Sequence, residues 1–536
     1  MPVIFPKADP AGESFEAASR LAASQHKEFD DFAMNLENIS QRKATADVVS
    51  LVYQNENDKE LIEEVVNSDP LTLPNKIHRL LIWSHRETLV KMPNALPKYL
   101  LSVPWNRREA VWETHRLLKI WAKLTPEAAL ELLGPKFPDR CVRELAVEHL
   151  RSIDDNDLKE YVLQLVQVVK HEPYHSSPVG KFVIEKALKN TTIGHYVFWH
   201  MKSEMHLPDV RERYGILLSS YLMLCGPMRS TLFRQNIAQQ AFVSVAEDIK
   251  KIKGAEERLK ILREKLHDVI LPSSYSLPLN PRIVCGNLKI EKCKYMDSKK
   301  LPLWLVINNS DPVGKPVYII FKAGDDLRQD MLTLQMMRIM DKLWKKNHLD
   351  LCMNVYDCVS TGNEIGMIEV VMNAETTSGI MKSAGGVAAN FREDPIANWL
   401  KDCNPSEDEY TKAVDNFTRS CAGYCVATCV LGIGDRHNDN IMLKRDGSLF
   451  HIDFGHFLGN FKSKFGFKRE RARFVLTPDF AYVMGGENSP GFRSFEDLCV
   501  KAFNILRKEA SLSINLFQLM ISCGKSSFAP LISFRC

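Results

Sequence analysis

Apolar residues recur at helical spacing through much of the first half of the chain, between residues 68 and 226. The two clearest helical faces consist of Val142, Ala146 and Leu150, and of Leu158, Val162, Leu165 and Val169. Thr125-Pro126-Glu127 is typical of a helix start, because a capping residue precedes Pro at the first helical position. Short turns with Pro or Asp separate the periodic segments. The pattern therefore predicts a series of stacked antiparallel helices, an α-solenoid.

The period changes after Leu271–Pro281, a stretch rich in Pro and Ser that we interpret as a linker. Short strand-like runs follow at Leu288–Lys294, Leu303–Asn308 and Val317–Lys322. Further helical segments come later in the chain, and the longest is Glu407–Val430. We therefore expect a multidomain chain, with an all-α solenoid followed by an α+β domain of two lobes.

The same signals set the predicted domain boundaries. They are residues 1–65 as a linker and the remnant of a preceding domain, 66–250 as the helical domain, 251–281 as a connecting helix and linker, 282–372 as a small lobe, 373–523 as a large lobe, and 524–536 as a disordered tail. A length of 536 residues exceeds what one hydrophobic core usually serves, which agrees with several domains.

Composition narrows the class of protein. A formal net charge of +4 is too small to predict a nucleic-acid partner. The 13 cysteines show no metal-type pairing and come without a signal peptide, which favours a reducing compartment. The longest apolar runs are too short to span a bilayer, so we expect any membrane contact to be peripheral.

Gly432–Gly455 carries the most informative combination of side chains. Asp435 and Asn440 are five residues apart, and an Asp-Phe-Gly sequence begins thirteen residues later at Asp453. Protein kinases have this spacing between their catalytic-loop Asp, their Mg²⁺-binding Asn and their metal-binding Asp. Carboxylate and amide oxygens suit a hard cation that bridges phosphates. We therefore predict Asn440 and Asp453 as Mg²⁺ ligands.

Two apolar runs between these residues predict a hairpin. The runs are Ile441–Leu443 and Leu449–Ile452, and Asp446-Gly447 between them is a favoured turn pair. A catalytic loop, a hairpin and an acidic residue at a strand end fit phosphoryl transfer.

One detail departs from protein kinases, because Asp435, Arg436 and His437 read Asp-Arg-His where protein kinases read His-Arg-Asp. This inversion resembles the phosphoinositide 3-kinase superfamily. The string from Gly432 to Arg471 is most similar to class IA catalytic subunits, and the resemblance covers about residues 65–520. It implies transfer of the ATP γ-phosphate to the 3-hydroxyl of a phosphoinositide, with phosphatidylinositol 4,5-bisphosphate as the expected substrate.

The resemblance also implies an ATP site between the lobes. Lys322 matches the lysine that reaches the nucleotide phosphates, and Asp330 matches the acid that orients this lysine. Glu369, Val370 and Val371 match the hinge whose backbone holds the adenine. The remaining matched positions, in the phosphate-covering loop and around the purine, are Met296, Ser298, Trp304, Ile320, Tyr356, Met442 and Ile452.

The base for the acceptor hydroxyl has two candidates. Asp435 matches the protein-kinase base by spacing, whereas His456 follows the Asp-Phe-Gly sequence, and a neutral imidazole suits general base catalysis near neutral pH. We favour His456 as the base, with Asp435 in a positioning role. We assign His437 to neutralising charge that develops on the γ-phosphoryl group.

A basic segment, Lys462–Arg473, follows the metal-binding sequence. It has six basic residues and one acidic residue, a net charge of +5, and this charge suits a polyanionic lipid at a membrane surface. In the family this loop recognises inositol phosphates. The matching positions are Lys462, Lys464, Lys468, Arg469 and Arg471.

The ends of the chain depart from the resembled family. The family carries further domains before this region and helices after it, and Gly524–Cys536 matches none of them. We expect this tail to be poorly ordered and to weaken lipid kinase activity more than ATP binding. No acid follows Asp69-Pro70-Leu71, where class IA enzymes have acids that dock a regulatory subunit, so we expect weakened binding of such a subunit.

Two alternatives to a lipid kinase stay open at this point. The first is a related protein kinase, against which the basic segment argues. The second is a catalytically impaired form that acts as a scaffold or a dominant negative. The resemblance implies a cytoplasmic protein that is recruited peripherally to the plasma membrane, without a nucleic-acid partner or a transmembrane segment.

Overall fold

A computed structural model describes residues 56–386, 392–458, 463–464, 467–468 and 473–521. The described chain groups into two compact units. The first contains residues 56–197, 207–221 and 511–521, and the second contains the described parts of residues 198–206 and 222–510. The predicted domain boundaries stay predictions. Residues 222–250, which we assigned to the helical domain, group with the second unit.

Helices build the first unit, as the periodicity predicted. Between residues 56 and 224, the helices are α1 Glu56–Val66, α2 Lys76–Ser84, α3 Arg86–Leu89, α4 Leu96–Leu100, α5 Arg108–Leu118, α6 Pro126–Glu131, α7 Arg140–Leu150, α8 Asp155–Val169, α9 Pro178–Lys189, α10 Thr191–Ser203 and α11 Pro208–Leu224. Thr125 caps α6, because its hydroxyl accepts a hydrogen bond from the backbone N–H of Ala128 at 3.2 Å. The helix start predicted from this Thr-Pro pair is confirmed.

Neighbouring helices of the first unit bury their apolar faces against one another. Helix α7 packs on α6 and α9, and α9 packs on α8. All residues of the two faces identified from the sequence are buried. A hydrogen bond also joins α11 to α8, because the Tyr214 hydroxyl donates to the carbonyl of Val166 at 2.8 Å. Sequential packing of this kind is that of a helical solenoid.

The second unit begins with two helices and a curled antiparallel sheet. The elements are α12 Met228–Lys250, α13 Ala255–Asp268, β1 Tyr275–Leu277, β2 Asn280–Leu288, β3 Lys294–Tyr295, β4 Leu303–Asn309, β5 Val317–Ala323, α14 Arg328–Lys346, β6 Cys358–Gly362 and β7 Ile365–Glu369. The strand order is β1-β2-β4-β5-β7-β6, with β3 paired to β4. One face of the sheet is fully buried, and the Phe321 ring of β5 lies 5.8 Å from that of Phe242 in α12.

One linker prediction and one strand prediction are wrong. The predicted linker Leu271–Pro281 contains β1, whose residues are buried and pair with β2. Burial of Tyr275 and Leu277 in the sheet core outweighs the local turn signal of Pro and Ser. The run Leu288–Lys294 is not one strand, because a 3₁₀ turn at Ile290–Lys292 separates β2 from β3.

The remaining elements form the larger lobe and the last two helices. They are β8 Ala374–Thr376, α15 Thr377–Ser383, α16 Pro395–Cys403, α17 Glu407–Val430, β9 Ile441–Lys444, β10 Leu449–His451, β11 Ser463–Lys464, β12 Phe467–Lys468, α18 Pro478–Val483, α19 Pro490–Lys508 and α20 Ala510–Ile521. Strands β10, β9 and β8 form a small sheet in that order. The predicted helix Glu407–Val430 is confirmed at both ends as α17.

Among the described residues, no helix combines the length and apolar character that crossing a membrane requires.

Candidate active site

The hairpin of β9 and β10 is held against α17, and this contact positions the loop before it and the acidic residue after it. The amide group of Asn416 donates to the carbonyl of Asp446 in the hairpin turn at 2.8 Å. The hydroxyl of Ser420 accepts from the backbone N–H of Leu449 at 2.8 Å. Gly447 completes the turn with a φ of +88°, a conformation that favours glycine. The Asp446-Gly447 turn expected from the sequence is confirmed.

Asn440 fastens the loop that carries Asp435. Its side-chain oxygen accepts from the backbone N–H of His437 at 2.9 Å, and its amide donates to the carbonyl of Asp435 at 2.6 Å. Asp435 itself has a φ of +57°, in the left-handed region that non-glycine residues seldom adopt. Strain of this kind clusters at functional sites and persists only where surrounding contacts hold it.

Arg436 joins this loop to the Asp-Phe-Gly segment. Its Nη1 donates to the carbonyl of Ile452 at 2.7 Å, and its Nη2 donates to the carbonyl of Asp453. Its Nε also donates to the carbonyl of Gly434 at 3.0 Å, and its guanidinium lies 5.5 Å from the ring centroid of Phe454. We assigned no role to Arg436 from the sequence. Its central place in the Asp-Arg-His string was the only signal available.

Asp330 of α14 holds the same segment from the other side. Its Oδ1 accepts from the backbone N–H of Phe454 at 3.0 Å. Burial raises the pKa of the Asp330 carboxyl to about 6, against the Phe454 N–H and the Lys322 charge, which lower the pKa. Asp453 has a φ of +59°, so Asp453 lies in left-handed backbone as Asp435 does.

Lys322 lies among three carboxylates. Its ammonium is 2.8 Å from Oδ2 of Asp325. Burial lowers the pKa of Lys322, but the Asp325 hydrogen bond and the charges of Asp325, Asp330 and Asp453 outweigh it and raise the pKa overall. We expected Asp330 to orient this lysine, whereas the structure gives the direct contact to Asp325. The reason is that Asp330 uses its Oδ1 on the Phe454 amide.

Alternation along the strands places two of the predicted purine-binding residues, Trp304 and Ile320, on one face of the sheet. Trp304 of β4 pairs with Ile320 of β5, and Ile320 pairs with Ile368 of β7. These three side chains are only half-buried, whereas Phe321 between them is fully buried on the opposite face. Lys322 follows Ile320 by two residues and therefore shares its face. We did not predict Ile368, which the same alternation of residues could have indicated.

The hinge segment is fastened at its first residue. Glu369 ends β7, its backbone N–H donates to the carbonyl of Asp357 at 2.8 Å, and its carboxylate accepts from the N–H of Asp357 at 2.9 Å. The N–H of Val370 donates to the carbonyl of Tyr318 at 3.3 Å. Val371 follows and is half-buried. Burial raises the pKa of the Glu369 carboxyl.

Tyr356 packs against the β9–β10 hairpin. It is buried, its ring lies 6.3 Å from that of Phe450, and Phe450 pairs with Met442 across β9 and β10. Burial and, secondly, the charge of Asp330 raise the pKa of the Tyr356 hydroxyl. Ile452 directly follows β10 and is half-buried.

The phosphate-covering loop predicted from the sequence is a tight turn between β3 and β4. Met296 donates its backbone N–H to the carbonyl of Pro302 at 2.8 Å, and Ser298 donates to the carbonyl of Met296 at 2.9 Å. Both side chains are exposed. The turn therefore leaves the Ser298 hydroxyl accessible to a ligand.

His456 and His437, the two histidines predicted to take part in the reaction, make different hydrogen bonds. The carbonyl of His456 accepts from the backbone N–H of Gly434 at 2.9 Å, which ties the residue after the Asp-Phe-Gly sequence to the catalytic loop. The ring of His437 is about half-exposed, and its Nδ1 accepts from the backbone N–H of Asp439 at 3.2 Å. Both histidines lie beside the loop of Asp435.

The predicted lipid-binding cations cannot be placed in the same way. Lys462, Arg469 and Arg471 lie outside the described residues. Lys464 and Lys468 belong to the short strands β11 and β12, where Ser463 pairs with Lys468 and Lys464 pairs with Phe467. Their assignment to inositol phosphates stays a prediction.

A sheet lobe with a lysine, a hinge and a helical lobe with the Asn440 loop together define a kinase-like domain. The chain belongs to the phosphatidylinositol 3- and 4-kinase family, whose catalytic domain matches residues 316–529. Residues 51–234 match the accessory (PIK) domain of the phosphoinositide 3-kinase family.

Proteins of Dictyostelium discoideum are among the relatives. The chain is 50% identical to phosphatidylinositol 3-kinase 2 over 464 residues, 86% of this chain and 25% of the relative. It is 50% identical to phosphatidylinositol 3-kinase 1 over 505 residues, 93% of this chain and 32% of the relative. It is 46% identical to phosphatidylinositol 3-kinase 3 over 492 residues, 89% of this chain and 29% of the relative. The chain thus spans about a quarter to a third of the length of these relatives.

Proposed function

We propose that this chain transfers the γ-phosphoryl group of ATP to the 3-hydroxyl of a phosphoinositide. The observation that carries the proposal is the charged centre of Lys322, Asp325, Asp330 and Asp453 beside the loop of Asn440. The similarity to relatives named as phosphatidylinositol 3-kinases supports the choice of lipid and position.

ATP is proposed to lie against the open face of the small-lobe sheet. The adenine occupies the space beside Trp304, Ile320 and Ile368, with the backbone of Glu369 and Val371 as its hydrogen-bonding edge. Lys322 then pairs with the phosphates, in place of part of its contact with Asp325. The Ser298 turn covers the phosphates from above.

The donor set of Asn440 and Asp453 fits a magnesium ion. Asp453 offers an exposed carboxylate, and the Asn440 oxygen, which accepts only the His437 N–H among the contacts described, retains a second lone pair. When bound, Mg²⁺ would neutralise charge on the transferring phosphate. Arg436, which lies in the loop of Asn440, donates to the backbone carbonyl of Asp453. This hydrogen bond holds the two proposed ligands in register.

His456 is proposed to accept the proton of the attacking hydroxyl, with Asp435 orienting that hydroxyl. The hydrogen bond from Gly434 to the His456 carbonyl keeps the two residues on adjoining segments. His437 is proposed to donate to the γ-phosphoryl oxygens as their charge develops. Most of the rate enhancement in such a reaction comes from positioning and charge neutralisation.

Phosphatidylinositol 4,5-bisphosphate is proposed as the lipid substrate, at the plasma membrane. The net charge of +5 in Lys462–Arg473 supports a headgroup with additional phosphates. These two statements rest on the sequence and on the family resemblance.

The test is a kinase assay on vesicles with [γ-³²P]ATP, in which the labelled lipid is deacylated and the position of the phosphate is identified. Vesicles with phosphatidylinositol 4,5-bisphosphate, vesicles with phosphatidylinositol and a protein substrate are compared. The proposal predicts label at the 3-position and a preference for the bisphosphate. Label on the protein alone, or at another ring position, would overturn it.

A further inference from the structure

Three side chains with metal-binding atoms converge between α5 and α7 of the first unit. His115 lies in the last turn of α5, Asp139 caps α7, and Cys141 lies in the first turn of α7. One ligand atom from each lies within 4.8 Å of the others. Among the described residues, this is the one group of three His, Cys, Asp or Glu side chains that meets this distance.

The spacing is close to that of a tetrahedral zinc site. Zinc bonds of about 2.0–2.3 Å place neighbouring ligand atoms about 3.3–3.6 Å apart. The Nε2 of His115 and the Oδ2 of Asp139 are 3.1 Å apart, and the Cys141 sulfur is within 4.8 Å of both. Small side-chain rotations therefore suffice to surround an ion.

Asp139 is already oriented by its own helix. Its Oδ1 accepts from the backbone N–H groups of Cys141 at 2.9 Å and Val142 at 3.1 Å. The carboxylate is thus locked, and Oδ2 faces His115. Hydrogen bonding of a ligand's second oxygen is the support that metal-binding carboxylates usually receive.

The cluster is also accessible. The side chains of His115 and Asp139 are 32% and 22% exposed, so an ion can enter from solvent and a water molecule can occupy a fourth position. A metal must displace the proton of the Cys141 thiol, because the thiolate is the form that binds a metal, so affinity should increase with pH.

Two cations near Cys141, Arg140 and Lys119, repel a metal ion. Arg140 is paired with Glu144 at 2.8 Å, which compensates its charge. The local balance thus does not exclude a divalent ion.

We propose that His115, Asp139 and Cys141 bind one zinc ion, with water as the fourth ligand, and that the ion ties α5 to α7. Binding forms Zn–N, Zn–O and Zn–S bonds and releases the thiol proton to solvent, without any change of oxidation state. This site is independent of the proposed kinase activity.

The experiment is a zinc titration of the purified chain against a chromogenic chelator, together with Co²⁺ binding followed by absorption. We expect about one equivalent of zinc per chain, a cobalt–thiolate charge-transfer band, and a higher melting temperature with zinc. Cys141→Ser should remove the band, and His115→Gln should weaken zinc binding at least about tenfold.

Matched controls are Cys225→Ser, which removes another half-buried thiol, and His85→Gln, which removes another half-buried imidazole. Both should bind zinc as the unmodified chain does. Asp139→Asn retains the helix cap, so it separates loss of a ligand from loss of folding. Circular dichroism checks the fold of each variant. Absence of binding at micromolar zinc, or equal binding by all variants, would refute the site.

Discussion

At the residue scale, the candidate site depends on side chains that hold backbone groups. Asp330 accepts a hydrogen bond from the backbone N–H of Phe454. Arg436 donates to the carbonyls of Ile452 and Asp453, and Asn440 donates to the carbonyl of Asp435. The residues expected to contact substrate, Asp453 and Lys322, are therefore placed by neighbours that do not themselves need to reach the nucleotide. Such pre-organisation is what electrostatic catalysis of phosphoryl transfer requires.

The first prediction concerns the buried carboxyl of Asp330. Its folded-state pKa of about 6 lies above the ordinary value of 3.8, so its contribution to stability is full below about pH 4 and is lost as the pH rises through about 6. The shift corresponds to about 3 kcal/mol. Asp330→Asn, whose amide oxygen can still accept the Phe454 N–H, should therefore increase the free energy of unfolding at about pH 8 by about 1–3 kcal/mol. Urea unfolding of both proteins measures it.

The same substitution should give a clearly smaller gain at about pH 4.5, where the Asp330 carboxyl is protonated in the folded protein and only the unfolded chain ionises. A gain that is equal at the two pH values would show that the carboxyl ionises without a penalty in the folded protein.

The second prediction concerns Arg436. Arg436→Ala removes the hydrogen bonds to the carbonyls of Ile452 and Asp453, so the Asp453 carboxylate, which we propose as a metal ligand, loses its register with the loop of Asn440. We expect kcat to fall by about 100-fold, since small misplacements have effects of that size, with little change in KM for ATP. Arg419→Ala on α17, an exposed pair with Asp415, is the control and should leave kcat unchanged. Comparable loss in both variants would contradict the assignment.

Spacing alone could identify Asp435, Asn440 and Asp453, because the chemistry fixes how far apart such residues lie along the chain. It could not reveal which partner each side chain selects. The direct contact of Lys322 with Asp325 depends on how α14 begins relative to β5, which is a three-dimensional fact.

At the element scale, the hairpin of β9 and β10 joins the loop of Asp435 and Asn440 to Asp453. Its turn is pressed against α17, so a Cβ added at Gly447 would meet the carbonyl oxygen of Ala413 at 1.9 Å. Local propensity and tertiary packing agree at this turn, which explains why the sequence predicted it correctly. They disagree at β1, where buried Tyr275 and Leu277 lie in a stretch whose composition is typical of a linker.

The third prediction follows from this close contact. Gly447→Ala should destabilise the protein by about 3 kcal/mol or more, because a positive φ alone costs about 1–2 kcal/mol and the clash with the α17 backbone adds to it. The control is Gly254→Ala, at a φ of +95° with no atom within 4 Å of the added Cβ. Gly254→Ala should lower the free energy of unfolding only by the cost of the positive φ, about 1–2 kcal/mol. Chemical denaturation compares the two, and equal losses would show that the hairpin can shift away from α17.

At the scale of the whole molecule, the sequence predicted a helical solenoid and an α+β kinase-like domain. Long periodic segments and short alternating strands are the strongest local signals, so these architectures were accessible from the pattern. The packing of α12 against the sheet could not be predicted from the pattern, because the apolar face of a helix does not indicate which element will cover it. Phe242 of α12 meets Phe321 of β5 only in the folded second unit.

The fourth prediction concerns the basic segment. Replacing Lys468, Arg469 and Arg471 together with neutral residues should reduce phosphorylation of phosphatidylinositol 4,5-bisphosphate far more than that of phosphatidylinositol, since only the bisphosphate offers additional phosphates to these cations. Neutralising the exposed Lys251, Lys253 and Lys260 is the matched control. Vesicle assays with each lipid measure the ratio of rates. Equal loss on both lipids would mean that the cations serve general attraction to the membrane.

The most direct test of the proposed activity is the rate of γ-phosphate transfer to phosphoinositide vesicles by this chain and by Asp453→Ala, with nucleotide-analogue binding measured on the same samples. Removing the carboxylate should abolish transfer while the variant keeps the circular dichroism of the unmodified chain. Transfer by Asp453→Ala within about tenfold of the unmodified rate, a barrier change of only about 1.4 kcal/mol, would contradict the account.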